Sequence, residues 1–597
     1  MFIWNKRDLN TEQESAIYEE NSILLIACPG SGKTRTLTYK IAYELSRLKS
    51  AKEYIIAITY TNAAADEIKE RVELLGVDIS QLWIGTIHSF CLEWILRPYS
   101  LYLDELKEGF RVLNAHESEE IISALCEPYK QQKVTYYDCS FIAKKGQYFL
   151  TSTTEAKRQI VESILVKYFE ILKQNKQIDF EQILFYSEKL LKKKEMINNI
   201  LSKIFPFILI DEYQDTKEIQ YDIISSILAA NKGESKVLIV GDPNQSIYES
   251  LGGYPMSKAD LEAILKFPLT EYSLSLNYRS STRIINYFDY YKTYDNIIVP
   301  SGKDKNYNSV ITFNQTIERE NLVDEIVRLI LYNINEKGIS PNEICIAAPQ
   351  WVHLASLTRN LMINLPDYSF DGPGMAPFSR DIDNFWYKLS KIVLTEPSPN
   401  LYIRRLRWSK EILDDFYNAG VDISISNKSF LKLCNSISFD EEDGLEYLNL
   451  VFAEICNQLK IDIKLFQTLQ EHHDSFFNSS EKRIERLVKE GNPSIGSIEN
   501  FRKVFKQRKG ITVSTIHGVK GEEYDTMIGF ALLNSFVPHF SDNNGIINSK
   551  KMLYVLASRA RKNLHLISER GRNVHAYHSP TGKLPTSHLL DYIFAYD

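Results

Sequence analysis

The sequence lacks any run of apolar residues long enough to cross a bilayer, for which about 18 or more are needed. The first segment, MFIWNKRDLNTEQ, turns charged and polar too early to supply the apolar part of a secretion signal. Internal repeats and low-complexity tracts are also lacking. These absences exclude a membrane-spanning protein, and we expect a cytoplasmic chain with no membrane partner.

Cysteine is scarce, and its spacing is uninformative for metal binding. The seven cysteines are Cys28, Cys91, Cys126, Cys139, Cys345, Cys434 and Cys456. No two of them form a C-x-x-C pair, which argues against a zinc ribbon, a cysteine-ligated cluster or a disulfide framework. We therefore predict buried free thiols.

The chain also has no excess of basic residues. Its 70 lysines and arginines are outnumbered by 77 aspartates and glutamates, so the formal net charge is −7 and the pI is near 6.0. A nucleic-acid-binding domain is often basic, and this balance argues somewhat against such a partner. A local basic groove would suffice, so that class is not excluded.

The length and the pattern of strands indicate several α/β domains. A chain of 597 residues exceeds what one hydrophobic core organises, which suggests about three to five domains. Short apolar strands, each followed by a helical pattern, are typical of parallel sheets covered on both faces. The first group is SILLIA (22–27), YIIAITY (54–60), FILI (207–210) and KVLIVGD (236–242). The second group is EICIAAP (343–349), ITVSTIH (511–517), TMIGFALL (526–533) and LHLIS (564–568). Long segments between them, at about 91–200 and 380–500, are predicted to be mostly helical inserted subdomains.

The stretch ACPGSGKTRT (27–36) predicts a phosphate-binding loop directly after the first strand. It fits G-x-x-x-x-G-K-[ST] except at the first position, where Ala27 or Cys28 replaces glycine. The residues in place are Pro29, Gly30, Ser31, Gly32, Lys33 and Thr34. Small residues let backbone N–H groups surround phosphate oxygens at the start of the next helix. Lys33 would add a cation, and the Thr34 hydroxyl could hold Mg²⁺.

A second strand, FILI, runs directly into the acids of DEYQDT (211–216). A carboxylate at the end of a buried strand needs a compensating charge, and Asp211 is predicted to bind Mg²⁺ directly or through water. Glu212 is then free to orient and deprotonate an attacking water beside a terminal phosphate. The pair is therefore predicted to divide into a metal ligand and a general base.

Taken in order, the motifs resemble those of the UvrD/Rep-type superfamily-1 (SF1A) DNA helicases. The stretches are LNTEQESAI (9–17), the phosphate loop, AITYTNAAADEIKERV (57–72), GTIHSF (85–90), DEYQDT (211–216), VGDPNQSIY (240–248), LNYRSS (276–281), VSTIHGVKGEEYD (513–525) and YVLASRARKNL (554–564). The resemblance implies an α/β fold of two RecA-like P-loop motor domains, each with a largely helical inserted subdomain. The expected boundaries are 1–90 with 201–275 for motor domain 1A, 91–200 for 1B, 276–379 with 501–597 for 2A, and 380–500 for a reduced 2B.

The resemblance assigns residues to a nucleotide site. Gln13 is expected to read the adenine edge and Tyr278 to stack on the base, so ATP with Mg²⁺ is the expected ligand. Arg35 is similar to an arginine that contacts the nucleotide, and Glu523 to the carboxylate that binds the ribose.

Three further residues are expected near the γ-phosphate. Arg279 and Arg559 resemble two arginines that reach it from the second motor domain. Gln245 resembles the residue that couples the terminal phosphate to the DNA-binding surface. Planar guanidinium groups suit this task because they neutralise charge that develops in the transition state.

The resemblance also implies a strand-binding face and an activity. The expected DNA contacts are Tyr60, Thr86, His88, Phe90 and Tyr248. Aromatic rings suit single strands because every base offers a π-face. The implied activity is ATP-dependent 3′ to 5′ translocation on single-stranded or tailed duplex DNA, with unwinding, in repair, recombination or phage defence.

Two departures from the family pattern motivate an alternative. Ser250 stands where the family places a stacking aromatic residue, and the second insertion is shorter and matches poorly. The alternative is a DNA-stimulated ATPase that acts as a sensor or regulatory subunit of a nuclease-containing complex. The chain leaves no room for a fused nuclease after YVLASRARKNL, so we expect any nuclease partner to be a separate protein. A P-loop switch unrelated to DNA is a third interpretation.

Overall fold

The computed structural model describes residues 4–597 except 6, 152, 232, 250–251, 373–375, 379–383, 490–492, 506–509, 540–543 and 573–582. Ser250 and part of the predicted start of the second insertion therefore lie outside the described residues. Two compact units are formed, Met1–Thr316 with Val519–Asp597, and Ile317–Gly518. Every predicted site residue belongs to the first unit.

A parallel six-stranded sheet organises the first part of this unit. Its strands, in spatial order, are Thr270–Leu274, Ile23–Ala27, Lys236–Gly241, Phe207–Ile210, Ile55–Thr59 and Leu82–Thr86. The four strands predicted from the first group are confirmed within one residue at each end. Because all six run in one direction, the segments that follow them meet at one edge, where ligands bind in open α/β sheets.

Both faces of this sheet are buried, which explains its near-continuous apolar strands. In Ile23–Ala27, Leu24 and Ile26 pack into one hydrophobic cluster, while Ile23 and Leu25 pack into another. The alternation follows from the two-residue period of a strand. The α/β class predicted from the sequence is thus confirmed.

The remaining strands of the first unit are shorter or more local. They are Leu276–Asn277 with Val299–Pro300, Arg111–Val112 with Gln177–Ile178, the antiparallel hairpin Phe141–Lys144 with Gln147–Leu150, and the parallel set Ile311–Asn314, Ala560–Ile567 and Tyr524–Gly529. In the second unit Ile344–Ala348, Ile511–Thr515 and Phe370–Asp371 pair in parallel.

Helices cover the sheets and fill the insertions. In the first unit they are Thr11–Tyr18, Lys33–Leu45, Asn62–Leu74, Ile87–Phe90, the π-helix Cys91–Leu96, Arg97–Tyr99, Ala115–Cys126, Arg158–Gln174, Phe180–Lys193, Glu195–Ile204, Glu218–Ala230, Lys258–Leu265, Thr282–Asp289 and Gly545–Ser558. In the second unit they are Leu322–Asn335, Leu354–Asn364, Phe385–Leu394, Tyr402–Asn418, Asn427–Ser436, Gly444–Leu459, Gln467–Lys489 and Ile498–Lys503. All seven cysteines are buried free thiols, as predicted.

Candidate functional site

The phosphate loop has the backbone of an anion cradle. Gly30 and Gly32 adopt φ angles of 67° and 79°, a region that residues with a Cβ rarely enter. The helix Lys33–Leu45 begins directly after Gly32, and no side chain caps its first turn. Its first N–H groups can therefore receive an anion, and the helix dipole favours one there.

Neighbouring segments hold this loop closely. Asn277 Nδ2 donates a 2.7 Å hydrogen bond to the carbonyl oxygen of Pro29, and Tyr278 N donates to that of Gly30 at 2.9 Å. A Cβ at Gly30 would lie 2.5 Å from Arg279 Cβ, so only glycine fits. Ser31 is buried, and its backbone N–H donates to the Cys28 oxygen at 3.2 Å. The loop is therefore held by residues 277–279 and by a hydrogen bond within its own backbone.

Lys33 brings the two acids of DEYQDT to the loop. Its Nζ lies 2.9 Å from Asp211 Oδ1 and also donates to Glu212 Oε1. Glu212 Oε2 accepts a hydrogen bond from Gln214 Nε2, and the Glu212 backbone has a φ of 52°. A non-glycine residue in this left-handed region is strained, and such residues cluster at functional sites.

Burial and neighbouring charges shift the pKa values of Lys33, Asp211 and Glu212. Burial by itself raises the pKa of Glu212, but Lys33 and Lys520 outweigh that effect and lower it to about 2. Burial raises the pKa of Asp211 more than Lys33 lowers it. Burial also lowers the pKa of Lys33, although the two acids more than reverse this. Glu212 is therefore ionised at neutral pH.

Arg559 contacts Gln245, which follows the strand Lys236–Gly241 at the ligand-binding edge of the sheet. The buried guanidinium donates to Gln245 Oε1, and Gln245 Nε2 donates to Asp242 Oδ2 at 2.8 Å. Burial, and then the nearby Arg279, lower the pKa of Arg559 to about 9. Burial raises the pKa of Asp242 to about 6. The structure thus joins two residues that the sequence separates by 314 positions.

Arg279 and Glu523 form an ion pair at this site. Arg279 Nε lies 2.6 Å from Glu523 Oε2, and its Nη1 donates to the Ser558 carbonyl oxygen at 3.0 Å. Arg561 pairs with the other oxygen of Glu523 at 3.1 Å. Burial raises the pKa of Glu523, but Arg279 and Arg561 together lower it to about 2. This carboxylate is ionised and partly exposed.

Gln13 and Tyr278, the residues predicted to bind the base, both contact the loop. Gln13 Nε2 donates to the Ser31 carbonyl oxygen at 3.0 Å, and its Oε1 accepts from Asn10 N at 3.0 Å in a capping box. Asn10 Nδ2 donates to the Tyr278 hydroxyl at 2.9 Å. The Tyr278 side chain is 43% exposed, so its ring remains available for stacking. Arg35 is exposed and lies 3.9 Å from Asp8.

The predicted strand-binding residues divide into two groups. Tyr60 and Tyr248 stack on each other, with ring centroids 5.1 Å apart and an interplanar angle of 22°. Thr86 Oγ1 caps the next helix by accepting from Ser89 N, and the His88 ring packs edge-on against Phe180.

Burial distinguishes Phe90 from the other predicted strand-binding residues. Burial and the Lys217 charge lower the pKa of His88 to about 4, so the ring is neutral. Phe90 is fully buried between Trp83 and Phe205. Its ring belongs to the core, and we leave it out of the proposed strand-binding set.

Sequence reasoning missed the contacts that connect the motifs. Lys520 Nζ forms an ion pair with Asp215 and donates to the Gln245 carbonyl oxygen at 2.6 Å. It also lies 5.1 Å from the centre of the Tyr248 ring. Lys520 stands inside the quoted stretch VSTIHGVKGEEYD, but nothing local to that stretch identifies its partners.

The residues fit a nucleotide with a divalent ion. The loop offers N–H groups to phosphate oxygens, and Thr34 and Asp211 offer the hard oxygen ligands that Mg²⁺ prefers. Within the described part of the chain no group of three or more His, Cys, Asp or Glu side chains is placed to hold a metal. Mg²⁺ usually keeps several water ligands and binds through one or two protein oxygens together with substrate phosphates, which suits Thr34 and Asp211. No described helix is long and apolar enough to span a membrane.

Two sequence families match the chain. Residues 9–267 match the UvrD/REP helicase N-terminal domain, and residues 454–571 match the UvrD-like helicase C-terminal domain. The first match covers the phosphate loop, the acids after FILI and Gln245. The second covers Glu523 and Arg559.

The chain is also similar to individual DNA helicases, at 23% to 30% sequence identity. ATP-dependent DNA helicase PcrA of Bacillus subtilis (strain 168) is 30% identical over 289 residues, which is 46% of this chain and 38% of that protein. The protein of that name from Staphylococcus epidermidis (strain ATCC 12228 / FDA PCI 1200) is 30% identical over 297 residues, 47% of this chain and 39% of its own length. The one from Staphylococcus aureus (strain NCTC 8325 / PS 47) is 23% identical over 98% of this chain and 86% of its own length. The chain thus aligns with well under half of the first two relatives.

Proposed function

The chain belongs to the UvrD/Rep-type superfamily-1 helicase family, and on that premise we propose that it hydrolyses ATP, with Mg²⁺, in response to single-stranded DNA. We further propose that it moves 3′ to 5′ along the strand and displaces a paired strand ahead of it. Separating DNA costs on average about 1.4 kcal/mol per base-pair step, which a motor that consumes ATP can supply.

One observation carries the proposal. Lys33, at the start of the helix after the glycine loop, contacts Asp211 and Glu212, which follow a neighbouring strand. The loop suits phosphate oxygens, and the ionised Glu212 suits a water molecule beside them. A glycine turn with a purely structural role would not need two acids beside its lysine.

Each residue has a distinct proposed task. Lys33 neutralises the outer phosphates, while Glu212 orients the attacking water and accepts its proton. Mg²⁺, held by Thr34 and Asp211, would neutralise further charge on the phosphate oxygens. Gln13 and Tyr278 hold the base.

A second set of residues would stabilise the transition state and couple the nucleotide site to the bound DNA strand. Arg279 and Arg559 supply planar cations for the γ-phosphate, and such a residue contributes about 10³ to 10⁵ in rate in other phosphoryl-transfer enzymes. Gln245 binds Arg559 and leads along the chain to Tyr248. Tyr60 and Tyr248 would stack on bases, and Thr86 would contact the strand beside them. Glu523 would bind the ribose, and Arg35 the nucleotide.

The first experiment is ATP hydrolysis by the purified chain with and without single-stranded DNA, run beside displacement of a labelled strand from a duplex with a 3′ tail. We expect stimulation by the strand, and displacement from the 3′-tailed but not the 5′-tailed duplex. Stimulation without displacement would favour the alternative of a sensor ATPase that serves a separate nuclease. Hydrolysis unaffected by DNA would contradict both.

A further inference from the structure

Lys551 is a buried cation for which the described part of the chain supplies no hydrogen-bond or ion-pair partner. It lies on the helix Gly545–Ser558, and its side chain is 8% exposed. Within the described residues it makes no hydrogen bond or ion pair. Lysine is rarely buried unless it is paired, because an isolated ammonium loses its hydration without compensation. A buried lysine of this kind suggests that a bound ligand supplies its partner.

The acids near Lys551 contact other residues through one oxygen each. The charges that act on it most strongly are those of Glu249 and Asp215. Asp215 pairs with Lys520, and Glu249 Oε1 accepts a 2.9 Å hydrogen bond from Asn544 Nδ2. Burial lowers the pKa of Lys551 despite these two acids. Each carboxylate is therefore shared with another residue, and neither forms an ion pair with Lys551 among the described residues.

The last two turns of this helix contact residues of the candidate nucleotide site. Its C-terminal end carries Arg559, which binds Gln245, and Tyr554 donates to Asp242 Oδ2 at 3.4 Å. Lys551 lies eight residues before Arg559, or about 12 Å along the axis. Lys520, one of the charges near Lys551, lies against the ring of Tyr248. The start of the helix also contacts Glu249, the residue after Tyr248, through Asn544.

We propose that Lys551 binds a backbone phosphate of the single strand whose bases stack at Tyr60 and Tyr248. This inference rests on the proposed function and adds a residue that the family resemblance did not assign. A phosphate would supply the direct partner that the described residues do not, and a lysine contacts a phosphate without reading sequence. Because Arg559 directly follows this helix, one element would contact both the strand and the nucleotide.

The test compares Lys551→Met with Lys550→Met, which removes the same charge from the neighbouring, partly exposed position. Binding of labelled oligo(dT) to the full chain is measured over a range of salt concentrations without nucleotide. Lys551→Met should weaken binding about tenfold, as expected for one charge-assisted contact. It should also lower the slope of log affinity against log salt by about 0.7, the value for one phosphate of a single strand. Lys550→Met should bind like the wild type.

Thermal unfolding of the same variants separates binding from structure. Methionine removes an unpaired buried charge, so Lys551→Met should be at least as stable as the wild type. A destabilised or unfolded variant would overturn the assignment by showing that the lysine supports the fold. Unchanged affinity and slope, or an equal loss in Lys550→Met, would also overturn it and leave the proposed function intact. Failure of the wild type to bind oligo(dT) would overturn the proposed function itself.

Discussion

Glu212 combines a left-handed backbone, burial and ionisation in a single residue. Its φ of 52° costs conformational energy, and Lys33 and Lys520 keep its carboxylate charged. The local neighbours Asp211 and Gln214 fix it further. A residue so strongly constrained is suited to hold one orientation during catalysis.

Glu212→Gln should abolish ATP turnover while the chain still binds ATP. The amide keeps the size of the side chain but cannot accept a proton, and Lys33 keeps its pairing with Asp211. Steady-state hydrolysis and binding of a fluorescent ATP analogue measure the two effects. Glu271→Gln, at an exposed position, serves as the control and should hydrolyse normally. Normal turnover in Glu212→Gln would remove it from the catalytic role.

Arg559→Ala should slow ATP hydrolysis by about 10³-fold or more, because a guanidinium at the γ-phosphate stabilises transition-state charge. Arg559→Lys keeps a cation but loses the planar donor fork that contacts Gln245, so it should restore little activity. Affinity for oligo(dT) without nucleotide should change far less than the rate. Hydrolysis at the wild-type rate in Arg559→Ala would place this residue outside the site.

Asp179→Asn should change the pH dependence of stability. Burial raises the pKa of Asp179 to about 6, although Gln182 N and the Tyr168 hydroxyl both donate to it. The folded chain therefore holds this proton more tightly than the unfolded chain, and ionisation costs stability as the pH rises from about 4 to about 6. Asparagine keeps the helix cap but cannot ionise.

Denaturant unfolding at several pH values measures the effect. The asparagine variant should be more stable than the wild type at pH 7, by about 1–3 kcal/mol, and equal to it near pH 4. The exposed Asp78→Asn should show no such gain at pH 7. A constant difference between Asp179→Asn and the wild type at all pH values would show that ionisation of Asp179 is not its cause.

At the scale of elements, the phosphate loop depends on the segment packed against it. Gly30→Ala should destabilise the chain more than Gly76→Ala, although both glycines have similar positive φ angles of 67° and 72°. Each alanine costs about 1–2 kcal/mol for its backbone conformation. Only the Gly30 variant adds a clash, because its Cβ would lie 2.5 Å from Arg279 Cβ, whereas nothing lies within 4 Å at Gly76. Thermal unfolding measures the difference.

The two variants, Gly30→Ala and Gly76→Ala, should differ more in ATP affinity than in stability. The clash at Gly30 displaces the loop or Arg279, so ATP binding should weaken in that variant and remain normal in Gly76→Ala. Equal unfolding temperatures and equal ATP affinities in the two variants would show that the loop accommodates a Cβ at Gly30 without loss of stability or binding.

The predicted strand boundaries are accurate in the first group of strands and less accurate for two strands of the second group. The predicted strand TMIGFALL ends early, at Gly529, and Ala531 then adopts a φ of 58°. The predicted strand LHLIS begins earlier, at Ala560, because that part of it pairs with Tyr524–Gly529. The hairpin Phe141–Lys144 with Gln147–Leu150, inside the segment predicted as mostly helical, was missed. Its turn residues Lys145 and Gly146 both have positive φ, which the sequence KKGQ signals only weakly.

At the scale of the molecule, an acidic chain is proposed to bind a polyanion. With a net charge of −7, its overall field opposes DNA, so binding must depend on local contacts with phosphates. Affinity for oligo(dT) should therefore fall steeply with salt, with a slope of about −0.7 for each phosphate contacted. Binding of a non-hydrolysable ATP analogue should respond less. A flat response for oligo(dT) would argue against a groove that follows the backbone.

The domain boundaries inferred from the resemblance stay predictions. The two compact units separate at Thr316 and Gly518, and Arg279 and Arg559 lie in the same unit as the phosphate loop. Limited proteolysis of the full chain, with and without ATP and DNA, would show which segments behave as separate bodies.

The sequence by itself determined the α/β class, the phosphate loop and the acids after FILI, because each is encoded in a few consecutive residues. It also indicated the order of motifs, which the family matches cover in part. Only the tertiary structure decided which side chains meet: Lys33 with Glu212, Lys520 with Asp215, and Arg559 with Gln245. It also buried Phe90, and it left Lys551 without an ion pair among the residues that the structure describes. These outcomes depend on which strands become neighbours in the sheet, and that order is set by packing between residues far apart in the chain, which local patterns do not encode.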